Sequence, residues 1–185
     1  MRVLNIQPSL FSAPMRLASY HIQRLDWGNL DTTSVWNDVD FGLKHELSLE
    51  PEDNRLERFH PGLQRFPESN SIDCSDSSVL ISLRTRNLIL VFDRNFKTKW
   101  IISDFTQIKK LPGEESLYVA PLSAADAFHS AHHVQFLAED KLLLYDNGMH
   151  YSRGMVLAIN GKARNFFAEK VYVPTWQGKH IHSVR

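Results

Sequence analysis

His132 stands at the head of one apolar run and Arg153 at the head of another. An imidazole and a guanidinium held together suit chemistry on a sulfate or phosphate ester. The ring attacks or moves a proton, while the fork of N–H donors clamps oxyanions. A histidine with an unperturbed pKa of ~6.5 is available as a free base at neutral pH. The segment between them must bring the two together. Ala131-His132-His133-Val134-Gln135-Phe136-Leu137 and Lys141-Leu142-Leu143-Leu144-Tyr145 flank a polar turn at Glu139-Asp140. Asp146-Asn147-Gly148 then leads through Ser152-Arg153-Gly154 to a third run, Met155 to Ile159. The pattern predicts three consecutive antiparallel strands, and return through two turns carries His132 and Arg153 to one end of a small sheet, beside a common cleft.

These residues resemble the arylsulfotransferase family, whose strands begin with a Gln-His-Asp type motif and continue through a Leu-Leu-Phe-Asp-Asn-Gly type turn to a Ser-Arg. A second stretch agrees: Asn70-Ser71-Ile72, then Val79-Leu80-Ile81-Ser82-Leu83-Arg84, Asn87, Ile89-Leu90-Val91-Phe92-Asp93-Arg94 and Lys99-Trp100-Ile101. That stretch is similar to the preceding blade of the family, which reads His-x-Asn-Ser-Val, an Ile-Ser-x-Arg strand, an Ile-Asp-Arg turn and a closing Trp. The likeness runs from Phe66 to Ile159.

The resemblance implies a six-bladed β-propeller. It also implies an enzyme that takes sulfuryl from an aryl sulfate onto a histidine and passes it to a phenol, with no nucleotide cofactor. Such chemistry needs an aligned imidazole and cationic donors in a dry pocket. His132 matches the histidine of the Gln-His-Asp motif, with Ala131 and His133 in place of its neighbours, and takes a positioning and charge-stabilising role. Arg153 matches the arginine after the Asp-Asn-Gly turn, where Asn147 lies. Asn70 keeps its place in the Asn-Ser motif. Glu68 stands where the family has a second histidine, and a carboxylate there would repel a sulfate ester and can pair with Arg153, so transfer is expected to be weakened or lost. Downstream of Arg153, His180 or His182 can stand in for the nucleophile, with His182 carried as the candidate. The alternative is a non-catalytic propeller-like binding or scaffold module.

Composition narrows the rest. The 185 residues are 43% hydrophobic, enough for one core, and 21 Lys and Arg balance 21 Asp and Glu. No global field recruits nucleic acid or anionic membrane. A single cysteine, Cys74, excludes an intrachain disulfide and a Cys-rich zinc site. His129, His132 and His133, or His180 with His182, have chelating spacing, yet no carboxylate has diagnostic spacing and HEXXH is absent, so neither a metal nor a cofactor is expected. Walker, GxGxxG and GxSxG motifs are missing too. No run has the length of a signal-peptide core or a membrane span. The chain is expected to be soluble and unsecreted, with the compartment open.

The elements that must position the site are short strands. Residues 1–66 are irregular and read as a degenerate blade at most; 67–173 hold two four-stranded antiparallel blades; 174–185 begin a further one and stop. Strands are predicted at 79–83, 88–92, 99–102, 134–137, 141–145, 155–159 and 163–173, the last after an Asn160-Gly161 turn. Trp27, Trp36, Trp100 and Trp176 are expected in blade cores. An incomplete propeller exposes blade edges, so a truncated chain and self-association through those edges are expected.

Overall fold

The computed structural model describes residues 2–6, 15–19, 21–26, 28–45, 47, 63–65, 69–148 and 151–173, and among these the apolar runs rich in β-branched residues form strands. Two compact units result, Met1–Glu68 and Ser69–Arg185. In the first, β1 (Arg2–Ile6) pairs antiparallel with β2 (Met15–Ser19), and β2 pairs parallel with β5 (Leu63–Arg65). A hairpin joins β3 (His21–Leu25) to β4 (Thr32–Asn37). Asn37 then caps the short helix α1 (Asp38–Lys44), its side chain accepting from the Asp40 N–H at 2.8 Å.

The second unit carries β6 (Ser69–Cys74), β7 (Ser78–Leu83), β8 (Leu88–Asp93), β9 (Thr98–Ile102), β10 (Tyr118–Pro121), β11 (His132–Ala138), β12 (Lys141–Asp146), β13 (Arg153–Asn160) and β14 (Asn165–Tyr172). These are not the propeller blades expected from the sequence. β10 pairs parallel with β9 on one side and with β14 on the other, fusing two antiparallel groups into one nine-stranded sheet of order β11-β12-β13-β14-β10-β9-β8-β7-β6.

The sheet curls until its two end strands lie alongside each other, making a nearly closed barrel. Side chains bridge the seam. The Val134 N–H donates to Ser71 Oγ at 3.0 Å, and the Phe136 N–H donates to Asp73 Oδ2 at 2.8 Å. At the far end Glu139, in the β11–β12 turn, accepts from Ser75 Oγ, from Ser78 Oγ at 2.9 Å and from Lys99 Nζ at 3.4 Å. Hydrogen bonds from Ser75 and Ser77 hold the Glu139 carboxyl down at about 2. The open blade edges expected to drive self-association are therefore absent: the groups on β11 that an edge would expose already have acceptors on β6.

One face of the sheet supplies the core. Leu80, Ile89, Val91, Ile102 and Val119 from one arm meet Val134, Leu142, Leu144, Met155, Leu157, Ile159 and Phe166 from the other, with Phe128 and Ala131 entering from the loop before β11. Each such side chain contributes about 1.5–3 kcal/mol when fully buried. Trp100 packs against this core, and Gly161 lies close beside it: a Cβ there would sit 3.3 Å from the indole ring, which would have to give by a few tenths of an ångström. Trp36 lies in the first unit, its ring 6.4 Å from Phe41, whereas Trp27, Trp176 and the segment 174–185 fall outside the described residues. No helix among the described residues is long and apolar enough to cross a membrane.

Candidate functional site

The Asp146-Asn147-Gly148 turn shows what Arg153 does. Asp146 is fully buried at the end of β12, and its Oδ1 accepts the Gly148 N–H at 2.9 Å, closing a tight turn. The same oxygen accepts the His129 N–H at 2.7 Å, and Oδ2 accepts Arg153 Nε at 2.8 Å. Arg153 also donates through Nη2 to the Ala127 carbonyl at 2.6 Å and through Nη1 to Ala125 at 3.5 Å. The guanidinium fork is thus committed to one carboxylate and two carbonyls, holding the 125–131 loop on the sheet.

Register separates His132 from Arg153. His132 pairs with Tyr145 and Arg153 pairs with Asp146, so the two side chains leave opposite faces of the sheet. The structure does not bring them into one cleft. A bulge after His132, with His133 in the left-handed region at φ 49°, sets this phase.

His132 has other company. Its Nε2 lies 3.4 Å from Nη1 of Arg84, just beyond β7, and its ring meets the Tyr145 ring edge-on at 6.5 Å. A guanidinium only donates, so in this contact Nε2 can serve only as the acceptor. His133 stacks over His132 at 6.3 Å and is exposed. The Tyr145 ring is buried and its hydroxyl, also buried, has no hydrogen-bond partner among the described residues.

Asn87 fastens the loop from the other arm. It is left-handed at φ 51°, its Oδ1 accepts the Ser130 N–H at 2.7 Å, and its Nδ2 lies 3.3 Å from Nδ1 of His129. Ser82 Oγ donates to the Ala131 carbonyl at 3.2 Å. Of the remaining sequence candidates, Asn70 is half-buried on β6, and Asn147 is half-buried in its turn with its carbonyl accepting from Ser152 Oγ at 3.3 Å. Glu68, His180 and His182 lie outside the described residues. Among the described residues no three His, Cys, Asp or Glu side chains converge on a metal position. Arg84, Asn87, Asp146 and Tyr145 were not singled out by residue chemistry, although Arg84 closes the Ile-Ser-x-Arg strand motif.

The profile of the arylsulfotransferase (ASST) family matches residues 69–164, which span β6 to the turn before β14. The chain belongs to that family. No curated protein matches the sequence. For this arylsulfotransferase-family chain, however, the six-bladed propeller implied by the resemblance is overturned by the single curled sheet. Sulfuryl transfer from an aryl sulfate to a phenol through a sulfohistidine falls with it, as does the propeller scaffold, since both presuppose a site ringed by blades. The aryl sulfate and phenol expected as partners lose their basis for the same reason. What family membership brings to this fold is the set of motifs, and here the Asp-Asn-Gly and Ser-Arg motifs build a loop clamp.

Proposed function

We propose that this arylsulfotransferase-family chain binds a small oxyanion, without group transfer, at the buried corner of His132, Arg84 and Tyr145. The reading is carried by the Tyr145 hydroxyl, a buried donor with no partner among the described residues, beside a buried imidazole. Leaving such a hydroxyl unsatisfied costs about 1–3 kcal/mol, which an incoming oxygen recovers. Arg84, whose Nη1 lies 3.4 Å from Nε2 of His132, brings a cation to the same corner. Asn70, half-buried on the neighbouring β6, is assigned to the rim.

The test is titration of the full chain with inorganic phosphate and inorganic sulfate, followed through the His132 ring signals. Saturable binding is expected, weakened roughly tenfold by Arg84→Gln and by Tyr145→Phe. Because Tyr145→Phe removes an orphaned hydroxyl, it should leave the unliganded protein as stable as before or more so while still weakening the anion. Absence of saturable binding, or binding indifferent to both substitutions, would reject the site.

A further inference from the structure

A second place in the same unit has the makings of a site, on residues that the oxyanion corner does not use. The loop Gln107 to Glu115, strand β10 and the β13–β14 turn enclose an open groove of about 500 Å³ lined by Lys110, Leu111, Pro112, Tyr118, Ala163 and Arg164. We propose that this groove binds a small monocarboxylate with a compact apolar body, its anionic end on Lys110 and Arg164 and its body against Leu111, Pro112 and the two alanines Ala120 and Ala163.

Its walls are fixed before any ligand arrives. The Glu114 N–H donates to the Leu111 carbonyl at 3.2 Å, with Pro112 and then left-handed Gly113 (φ 83°) between them, the residue order a type II turn demands. The Leu111 N–H donates to the Tyr118 hydroxyl at 2.6 Å, tying that turn to β10. Arg164 Nη1 donates to the Glu115 carbonyl at 3.2 Å, and the Ala120 N–H donates to the Arg164 carbonyl at 3.2 Å. A prearranged groove of this kind avoids much of the ordering cost of binding.

Charge and size select the ligand. Lys110 and Arg164 place two cations on the groove, and the Lys110 ammonium stands 4.1 Å from the Phe105 ring, held by its π face. Among the residues lining the groove, these two cations stand against the one carboxylate of Glu115, which is turned onto the Gly113 N–H at 3.0 Å, while Glu114 Oε2 accepts from the Tyr118 hydroxyl at 3.5 Å. That balance suits a monoanion, and a dianion would meet Glu115 at close quarters. Alanines in place of larger side chains leave room for a ring or a branched chain.

Phenylacetate, benzyl alcohol and inorganic phosphate are the probes, titrated into the full chain while amide shifts of Leu111, Ala120 and Ala163 are followed. Phenylacetate is expected to give saturable shifts there, with benzyl alcohol and phosphate each binding roughly tenfold more weakly. The double substitution Lys110→Gln with Arg164→Gln should reduce phenylacetate affinity about tenfold or more in a chain that still unfolds in one cooperative transition, while Tyr145→Phe leaves that affinity unaltered. No saturable shift at these amides, or shifts that survive the double substitution, overturns the proposal.

Discussion

Asp146 and Arg153 form a 2.8 Å ion pair in which the carboxylate side chain is fully buried and the arginine side chain is 16% exposed. The pair is also a clamp. Asp146 holds the His129 N–H, Arg153 holds the Ala125 and Ala127 carbonyls, and together they seat the loop that feeds β11. Phe128 and Ala131, carried by that loop, enter the core, so the polar contacts decide whether an apolar plug closes the end of the barrel.

Arg153→Ala should therefore cost about 3–5 kcal/mol, because it strands a buried carboxylate. Arg153→Lys should recover only part of that loss, since a single ammonium cannot span one carboxylate and two carbonyls. Urea unfolding measures the cost, and amide exchange at His129 and Gly148 should accelerate in both variants. A loss below about 1 kcal/mol for Arg153→Ala would mean that the clamp carries no structural weight.

The seam yields a second expectation. Ser71 and Asp73 stand in for a missing backbone ladder by accepting the Val134 and Phe136 N–H groups. Replacing both with Ala leaves two backbone donors without acceptors, at about 1–3 kcal/mol each where water cannot reach. Hydrogen exchange at Val134 and Phe136 should rise well above the change at Leu142 in the sheet interior. Asp73→Asn, which keeps an acceptor oxygen, should restore most of the protection. Equal protection in wild type and double variant would show that the strands hold together without these side chains.

Strand positions were legible because alternation and turn residues are local signals: β7, β8, β12 and β13 all lie on period-2 or continuous apolar runs bounded by turns. The single sheet was not. Its link is β10, a four-residue strand whose partners, β9 and β14, are both parallel and set by contacts that no hairpin signal announces. The relation of His132 to Arg153 failed for a related reason. One extra residue at the bulge after His132 fixes which face each side chain takes, and a one-residue change of phase exchanges the faces. Histidine is one of the few non-glycine types enriched at positive φ, but His133 sits inside an apolar-alternating run with no turn residue beside it to mark the bulge.

Acid should open the seam from its Glu139 end. The folded Glu139 carboxyl is held down at about 2, below its ordinary value of 4.5, so its contribution to stability is fully present above the unfolded value and is lost as pH falls toward 2. Its side chain is 43% exposed, and solvent screening limits the contribution to about 1 kcal/mol. Wild-type stability should decline between about pH 5 and pH 2, and Glu139→Gln should be less stable at pH 7 and show a shallower decline over that window. Parallel pH profiles for the two proteins would remove Glu139 from the seam's stability.

Asn87 offers a test in which backbone and side-chain effects pull apart. Its φ of 51° is left-handed, a conformation that glycine adopts freely and that alanine resists at about 1–2 kcal/mol. Its side chain meanwhile accepts the Ser130 N–H and faces Nδ1 of His129, joining the β7–β8 corner to the loop clamped by Arg153. If conformation alone matters, Asn87→Gly is harmless and Asn87→Ala is costly. If the side-chain bonds matter as well, Asn87→Gly should still cost about 1–2 kcal/mol, with Asn87→Ala costing more. The second outcome is expected, because Ser130 is itself left-handed at φ 52° and holds that conformation next to a buried Ala131. Denaturant midpoints rank the three proteins, and exchange at the Ser130 amide separates the causes: it should quicken in Asn87→Gly even after correction for the change in global stability. Wild-type protection of that amide in Asn87→Gly would leave only the backbone role.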